Sequence, residues 1–178
     1  MNRVWLIRVF LAATAAFSMF SAGAALAEEG TVSAFSSWQA RGQIFPTGPA
    51  EATFVGSLSG ILYVKNKDGS YDAGRVICPG FITININDYS QSGQGRCVIL
   101  TPDADRIYGE FKCSGVVGTG CNGKFTLKGG TGAKENITGG GPIQFKSAFL
   151  NLTAVSGNIV DTTYGGLAVL PKLTYKLP

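Results

Sequence analysis

The chain contains no histidine. That absence removes Ser-His-Asp and Cys-His nucleophile systems, histidine metal ligands and the usual base at neutral pH. Acid–base chemistry would fall to a carboxylate, a lysine or a tyrosine with a shifted pKa. Charge is scarce as well: 15% of residues are Asp, Glu, Lys or Arg, with a formal net charge of +4. The lysines are scattered, so no basic stripe speaks for nucleic acid. The four cysteines include no C-x-x-C pair, which with the missing histidine argues against a zinc site. No cofactor is implied. Lys128 and Lys134 flank a glycine turn, but a phosphate loop needs G-x-x-x-x-G-K-[ST] opening a helix, and here a strand is expected to follow. No convincing helical pattern occurs after residue 27.

The one long apolar run is at the start. Arg3 and Arg8 accompany an uncharged stretch from Val9 to Phe20, and Ala25-Leu26-Ala27 forms an A-x-A cleavage site before Glu28. Residues 1–27 are expected to be a cleaved secretory signal of bacterial Sec type. Residues 28–178 are expected to form one domain, periplasmic or secreted and not membrane-spanning after cleavage. That domain would carry thirteen basic against eleven acidic residues, and at its size about two-thirds of the unfolded surface can be buried. Cys78, Cys97, Cys113 and Cys121 all lie within it. An even count in an exported chain reads as two disulfides, with three pairings open. Cys78–Cys97 and Cys113–Cys121 are preferred because each joins neighbouring strands.

Strand signals fill the domain. A first strand fits Thr31–Trp38, and Pro46, Gly48 and Pro49 are expected to end its ladder. Phe54, Gly56, Leu58, Gly60, Leu62 and Val64 share a face, apolar but notched by glycine, as in a strand that bends around a barrel. Asn66–Ser70 holds an Asp-Gly turn. Ile82, Ile84 and Ile86 alternate with Thr83, Asn85 and Asn87, and Cys97–Leu100 returns antiparallel. Ile107, Gly109, Phe111 and Cys113 alternate with Arg106, Tyr108, Glu110 and Lys112. Ile143, Phe145, Ser147 and Phe149 define a further face, which Leu150–Val155 extends. The apolar tail, Leu167–Leu177 with Pro171, fits an edge strand or a plug. The expected fold is all-β: a single antiparallel barrel of about eight strands, closed or nearly so, calycin-like or allene-oxide-cyclase-like.

Residues 123–132, Gly-Lys-Phe-Thr-Leu-Lys-Gly-Gly-Thr-Gly, resemble the shared phrase of the allene oxide cyclase and dirigent-like barrels. Gly129, Gly130, Thr131 and Gly132 match its turn, and Ile137-Thr138-Gly139 its next strand opening. Lys134 stands where that phrase has an aromatic, and Asn136 where a small residue follows. The resemblance spans about residues 105–150. It implies an eight-stranded antiparallel barrel with a central cavity, and it transfers no catalytic residue.

Candidate ligand contacts are Arg106, Tyr108 and Glu110, if their face is the lumen, and Asn85 and Asn87, whose amides suit a sugar. The alternative for both groups is a solvated outer face. Trp38, Phe54, Tyr63, Phe81, Phe111, Phe125, Phe145 and Phe149 are enough to fill a small barrel, or to line a cavity that holds a small ligand. Three functions follow: non-catalytic binding of a small apolar or amphipathic molecule, a protein-interaction module such as a periplasmic hydrolase inhibitor, or an isomerase or cyclase by fold analogy. A closed apolar cavity above about 300 Å³ would favour the first. An outer-membrane barrel is disfavoured by lysines and asparagines on outward faces.

Overall fold

A computed structural model describes residues 27–178. The expected signal lies outside the described residues except for Ala27. Eight strands follow in order: β1 Glu28–Gly48, β2 Glu51–Lys65, β3 Tyr71–Asn85, β4 Ser90–Leu100, β5 Arg106–Val116, β6 Gly120–Gly130, β7 Thr138–Ser156 and β8 Ile159–Leu177. Each pairs antiparallel with its sequence neighbours, and β8 returns to β1, so the sheet closes as an up-and-down barrel. Closure leaves most strands without a free edge, which suits a small fold exposed to solvent all round.

Period-two patterning decides which side chains go inside. On β2 the even-numbered residues point inward, with Phe54 and Leu62 buried, and on β5 Gly109, Phe111 and Cys113 do so. Phe125, Leu127, Ile143, Leu170 and Leu173 complete the core with Val76 and Ile99. Both disulfides form as expected. Cys78 and Cys97 bridge β3 and β4 with Cα atoms 4.1 Å apart, and Cys113 and Cys121 bridge β5 and β6 at 5.5 Å. Such bonds belong to an oxidising compartment.

Three expectations are corrected. The first strand does not stop near Trp38 but runs to Gly48 through Pro46. Pro46 lies past the last β1–β8 pair, Ile44 opposite Val160, at a strand end where a missing donor is tolerated. Ile86 and Asn87 fall in the turn after β3, and Ile86 is exposed. The tail is neither an edge nor a plug, since β8 pairs with both β1 and β7. Val32 faces Leu173 and Ala34 faces Leu170, so a bulge absorbs Pro171 and both leucines point inward.

The Gly-Gly-Thr-Gly phrase is half strand and half turn: Gly129 and Gly130 end β6 opposite Tyr108 and Ile107, and Thr131 and Gly132 leave it. Gly129 and Gly132 have φ of +120° and +55°, conformations that favour glycine. The Arg106 N–H donates to Thr131 Oγ1 at 2.9 Å, and the Ala133 N–H to Asp105 Oδ2 at 3.0 Å, which clasps this turn to the β4–β5 loop. Lys134 sits in a short 3₁₀ turn, Gly132–Lys134, rather than in the barrel wall, and Ile137 is the residue there that enters the core.

Candidate functional site

The lumen has two unequal halves. Toward the rim that holds Ile137, it is packed by Leu62, Val76, Ile99, Phe125, Ile143, Leu170 and Leu173, leaving a cavity of about 40 Å³. The half toward the β3–β4 and β5–β6 turns holds a pocket of about 70 Å³, open to solvent and lined by Trp38, Ala40, Phe54, Leu58, Phe111, Phe145 and Tyr164. Neither half reaches the roughly 300 Å³ expected of a hollow ligand-filled lumen. Side chains fill most of the barrel, and only its open end has room.

A row of glycines runs beside that pocket, and two of its members, Gly56 and Gly80, line it. Gly42 pairs with Gly56, Gly56 with Gly80, and Gly80 with Gly95, so the row crosses β1, β2, β3 and β4 without a side chain. The strands crowd there: a Cβ on Gly80 would come within 2.9 Å of the Gly95 Cα, and one on Gly95 within 2.6 Å of the Phe111 ring. The Phe111 ring thus lies against bare backbone. Gly93 is less crowded, since a Cβ there would come no nearer than 3.3 Å to the Ile82 side chain, 3.6 Å to Cys113 Sγ and 3.8 Å to the Phe81 carbonyl.

The aromatics form a collar. Trp38 meets Phe145 edge-on with ring centroids 6.1 Å apart, Phe145 meets Phe111 at 5.0 Å, and Phe54 meets Tyr164 edge-on at 5.2 Å. Two polar groups sit within it. The Trp38 Nε1 is buried and has no hydrogen-bond partner in the protein, and leaving such a donor unpaired costs about 1–3 kcal/mol. Burial pushes the Tyr164 phenol above its ordinary pKa, so it stays protonated and able to donate at neutral pH. Gln91 is already committed at the rim, where its Nε2 donates to the Val116 and Gly120 carbonyls at 3.2 and 3.1 Å. The pocket lining includes no carboxylate, lysine or arginine. Among the described residues no group of three or more Cys, Asp or Glu is placed to hold a metal.

The sequence-derived contacts lie elsewhere. Arg106, Tyr108 and Glu110 are on the outer face of β5, because Ile107, Gly109, Phe111 and Cys113 take the inner one. Glu110 pairs there with Lys128 at 2.8 Å, and this hydrogen-bonded ion pair holds its carboxyl below the usual range. Asn85 Oδ1 accepts the Asn87 N–H at 2.9 Å and fixes the turn after β3. Asn85 also borders an open polar cleft with Glu51, Thr83, Ser90, Ser92 and Ser114. None of the five lines the lumen. Of the eight candidate aromatics, Trp38, Phe54, Phe111, Phe125 and Phe145 point inward, Phe81 is exposed yet borders the pocket, Phe149 is exposed, and Tyr63 stacks on Phe35 outside. Sequence reasoning missed Tyr164 and the glycine row. The inward alternation of Thr162, Tyr164, Ala168 and Leu170 was the available signal for Tyr164.

Fold and site together define an antiparallel eight-stranded barrel with an aromatic-collared pocket at one rim. No family model matches the chain, and no curated protein matches it. Among solved structures, the pterocarpan synthase dirigent protein GePTS1 is similar at 12% identity, over 80% of this chain and 86% of that one, with a TM-score of 0.37. The pterocarpan synthase dirigent protein PsPTS1 is similar at 13% identity, over 81% and 96%, with a TM-score of 0.34. The ring of eight strands rests on this chain's own pairing. No helix among the described residues is long and apolar enough to cross a membrane, a statement that does not extend to strands.

Proposed function

We propose that residues 28–178 form an exported binding domain, released from a leader at Ala27, that takes up one small, mainly apolar molecule without transforming it. The ligand enters the open half of the lumen and is gripped by the collar of Trp38, Phe54, Phe111, Phe145 and Tyr164. The observation that carries this reading is the open apolar pocket walled by the aromatic collar, with the Tyr164 phenol as the one neutral donor among its titratable lining groups. The pocket's volume of about 70 Å³ is under half that of the ~150 Å³ apolar cavity known to enclose benzene. The ligand therefore inserts one apolar end and leaves the rest in the mouth, which suits an amphipathic molecule. A non-catalytic role fits a lining whose one unblocked titratable group, Tyr164, is held neutral.

Native mass spectrometry of the protein purified from an exporting cell tests this reading. A small-molecule adduct that disappears on denaturation is the expected result. An adduct-free protein that also ignores N-phenyl-1-naphthylamine, an apolar fluorescent probe, would overturn it.

A further inference from the structure

β7 outruns its neighbour. Its pairing with β6 ends at Lys146 opposite Gly120, and the last backbone bond on that side runs from the Ser147 N–H to the Thr119 carbonyl, 3.2 Å. The strand continues to Ser156, paired only with β8. Every residue from Ala148 to Ser156 is exposed, including Phe149, Leu150, Leu152 at 62% and Val155 at 71%. Ser147 to Val160 contains neither a charge nor a proline. Sheets normally blunt such an edge with lysine, proline, short length or bulges. Of these only bulges are present here, at Ser147–Phe149 and at Leu152–Ala154.

We propose that this edge is a homodimer interface, in which β7 of one copy pairs antiparallel with β7 of a second across a two-fold axis at Leu152. The segment is complementary to itself in that register. Leu152 faces the partner's Leu152 at the axis, and the uncharged residues on either side, Phe149 to Val155, run along their counterparts, with the bulge at Leu152–Ala154 repeated symmetrically in both copies. With no charge between Ser147 and Val160, no like charges oppose each other, as a self-paired interface requires. The chain's own leader is a poorer occupant, because β1 begins at Glu28 opposite Leu177, at the rim away from this hairpin. A single added strand pair belongs to the small class of interfaces, below about 1,200 Å². The dimer is accordingly a reversible one.

Both disulfides are closed and no free cysteine is present among the described residues, so one introduced thiol reports the contact. Antiparallel partners sit about 4.5–5.5 Å apart, within disulfide reach. Leu152→Cys is expected to give a covalent dimer under mild oxidation at tens of micromolar protein, while Ser59→Cys, exposed on β2, stays monomeric. Sedimentation of the wild-type protein is expected to show a concentration-dependent dimer that Leu152→Lys abolishes without changing the far-ultraviolet circular dichroism. Wild-type protein that stays monomeric throughout, with Leu152→Cys crosslinking no faster than Ser59→Cys, would overturn the proposal. So would a monomer whose β7 edge is instead protected only by phosphatidylcholine vesicles or by a different protein. Should Leu152→Lys fail to fold, the crosslinking comparison still decides.

Discussion

At the scale of single residues, Trp38 bears on both stability and binding. Its indole donor is buried without a partner, so the free protein gains nothing from the N–H. Trp38→Phe removes an unsatisfied donor at the cost of some packing. The net change in unfolding free energy is expected to stay within about 1 kcal/mol by denaturant titration. Ligand affinity should also fall, by roughly 0.5–1 kcal/mol, because the smaller ring gives up apolar contact with the pocket. Tyr164 sets the pH dependence. Burial raises its pKa, which keeps the phenol neutral below the ordinary tyrosine value near 10. Its contribution to stability is therefore full below that value and declines as pH rises through the folded pKa. Binding should consequently be flat from about pH 5 to 9, as read by titration at each pH. A carboxylate or ion pair in the site would instead give a step at acid pH. Glu110 titrates on the outer face beside Lys128, so Glu110→Gln should leave affinity unchanged.

At the scale of the strand, the glycine row and the disulfides do different work. Gly80 faces backbone, and Gly80→Ala must push β4 away, so it is expected to destabilise the fold by about 1–3 kcal/mol. Gly93→Ala meets nothing nearer than the Ile82 side chain at 3.3 Å and should change stability by less than about 1 kcal/mol, while weakening binding by intruding on the pocket. Thermal melts paired with probe titrations check both variants. Cys78–Cys97 spans 19 residues and Cys113–Cys121 spans 8. Their removal by paired serine substitution should cost about 3 and 2.5 kcal/mol on the chain-entropy model. Much at this scale was legible in the sequence. Alternation placed Ile107, Gly109, Phe111 and Cys113 on one face, and strand adjacency sufficed to pair the cysteines. The glycine row was not legible, because Gly42, Gly56, Gly80 and Gly95 meet only when four registers are known. The length of β1 was hidden by Pro46, whose prohibition on pairing lapses where a strand has a single neighbour.

At the scale of the molecule, an eight-strand barrel encloses enough space for side chains or for one small ligand, and this chain divides that space between the two. The half near Ile137 is core, and the half near the β5–β6 turn is pocket. Number and direction of strands could be read from the spacing of turns. Apolarity marked the inward face as well, since Ile107, Phe111 and Cys113 alternate with the charged Arg106, Glu110 and Lys112, but how far side chains would fill the lumen could not be read. Closure leaves the β7–β8 hairpin standing above one side of the mouth, where Ser147 and Tyr164 join the pocket wall. The central claim is that a small apolar ligand seats beside Trp38. Trp38 is the single tryptophan of residues 28–178, so the released domain carries its own indole reporter. Titrating that domain with N-phenyl-1-naphthylamine should quench or shift the Trp38 emission saturably, at one site per chain. Probe binding that leaves Trp38 emission unchanged, or no binding at all, would contradict the account.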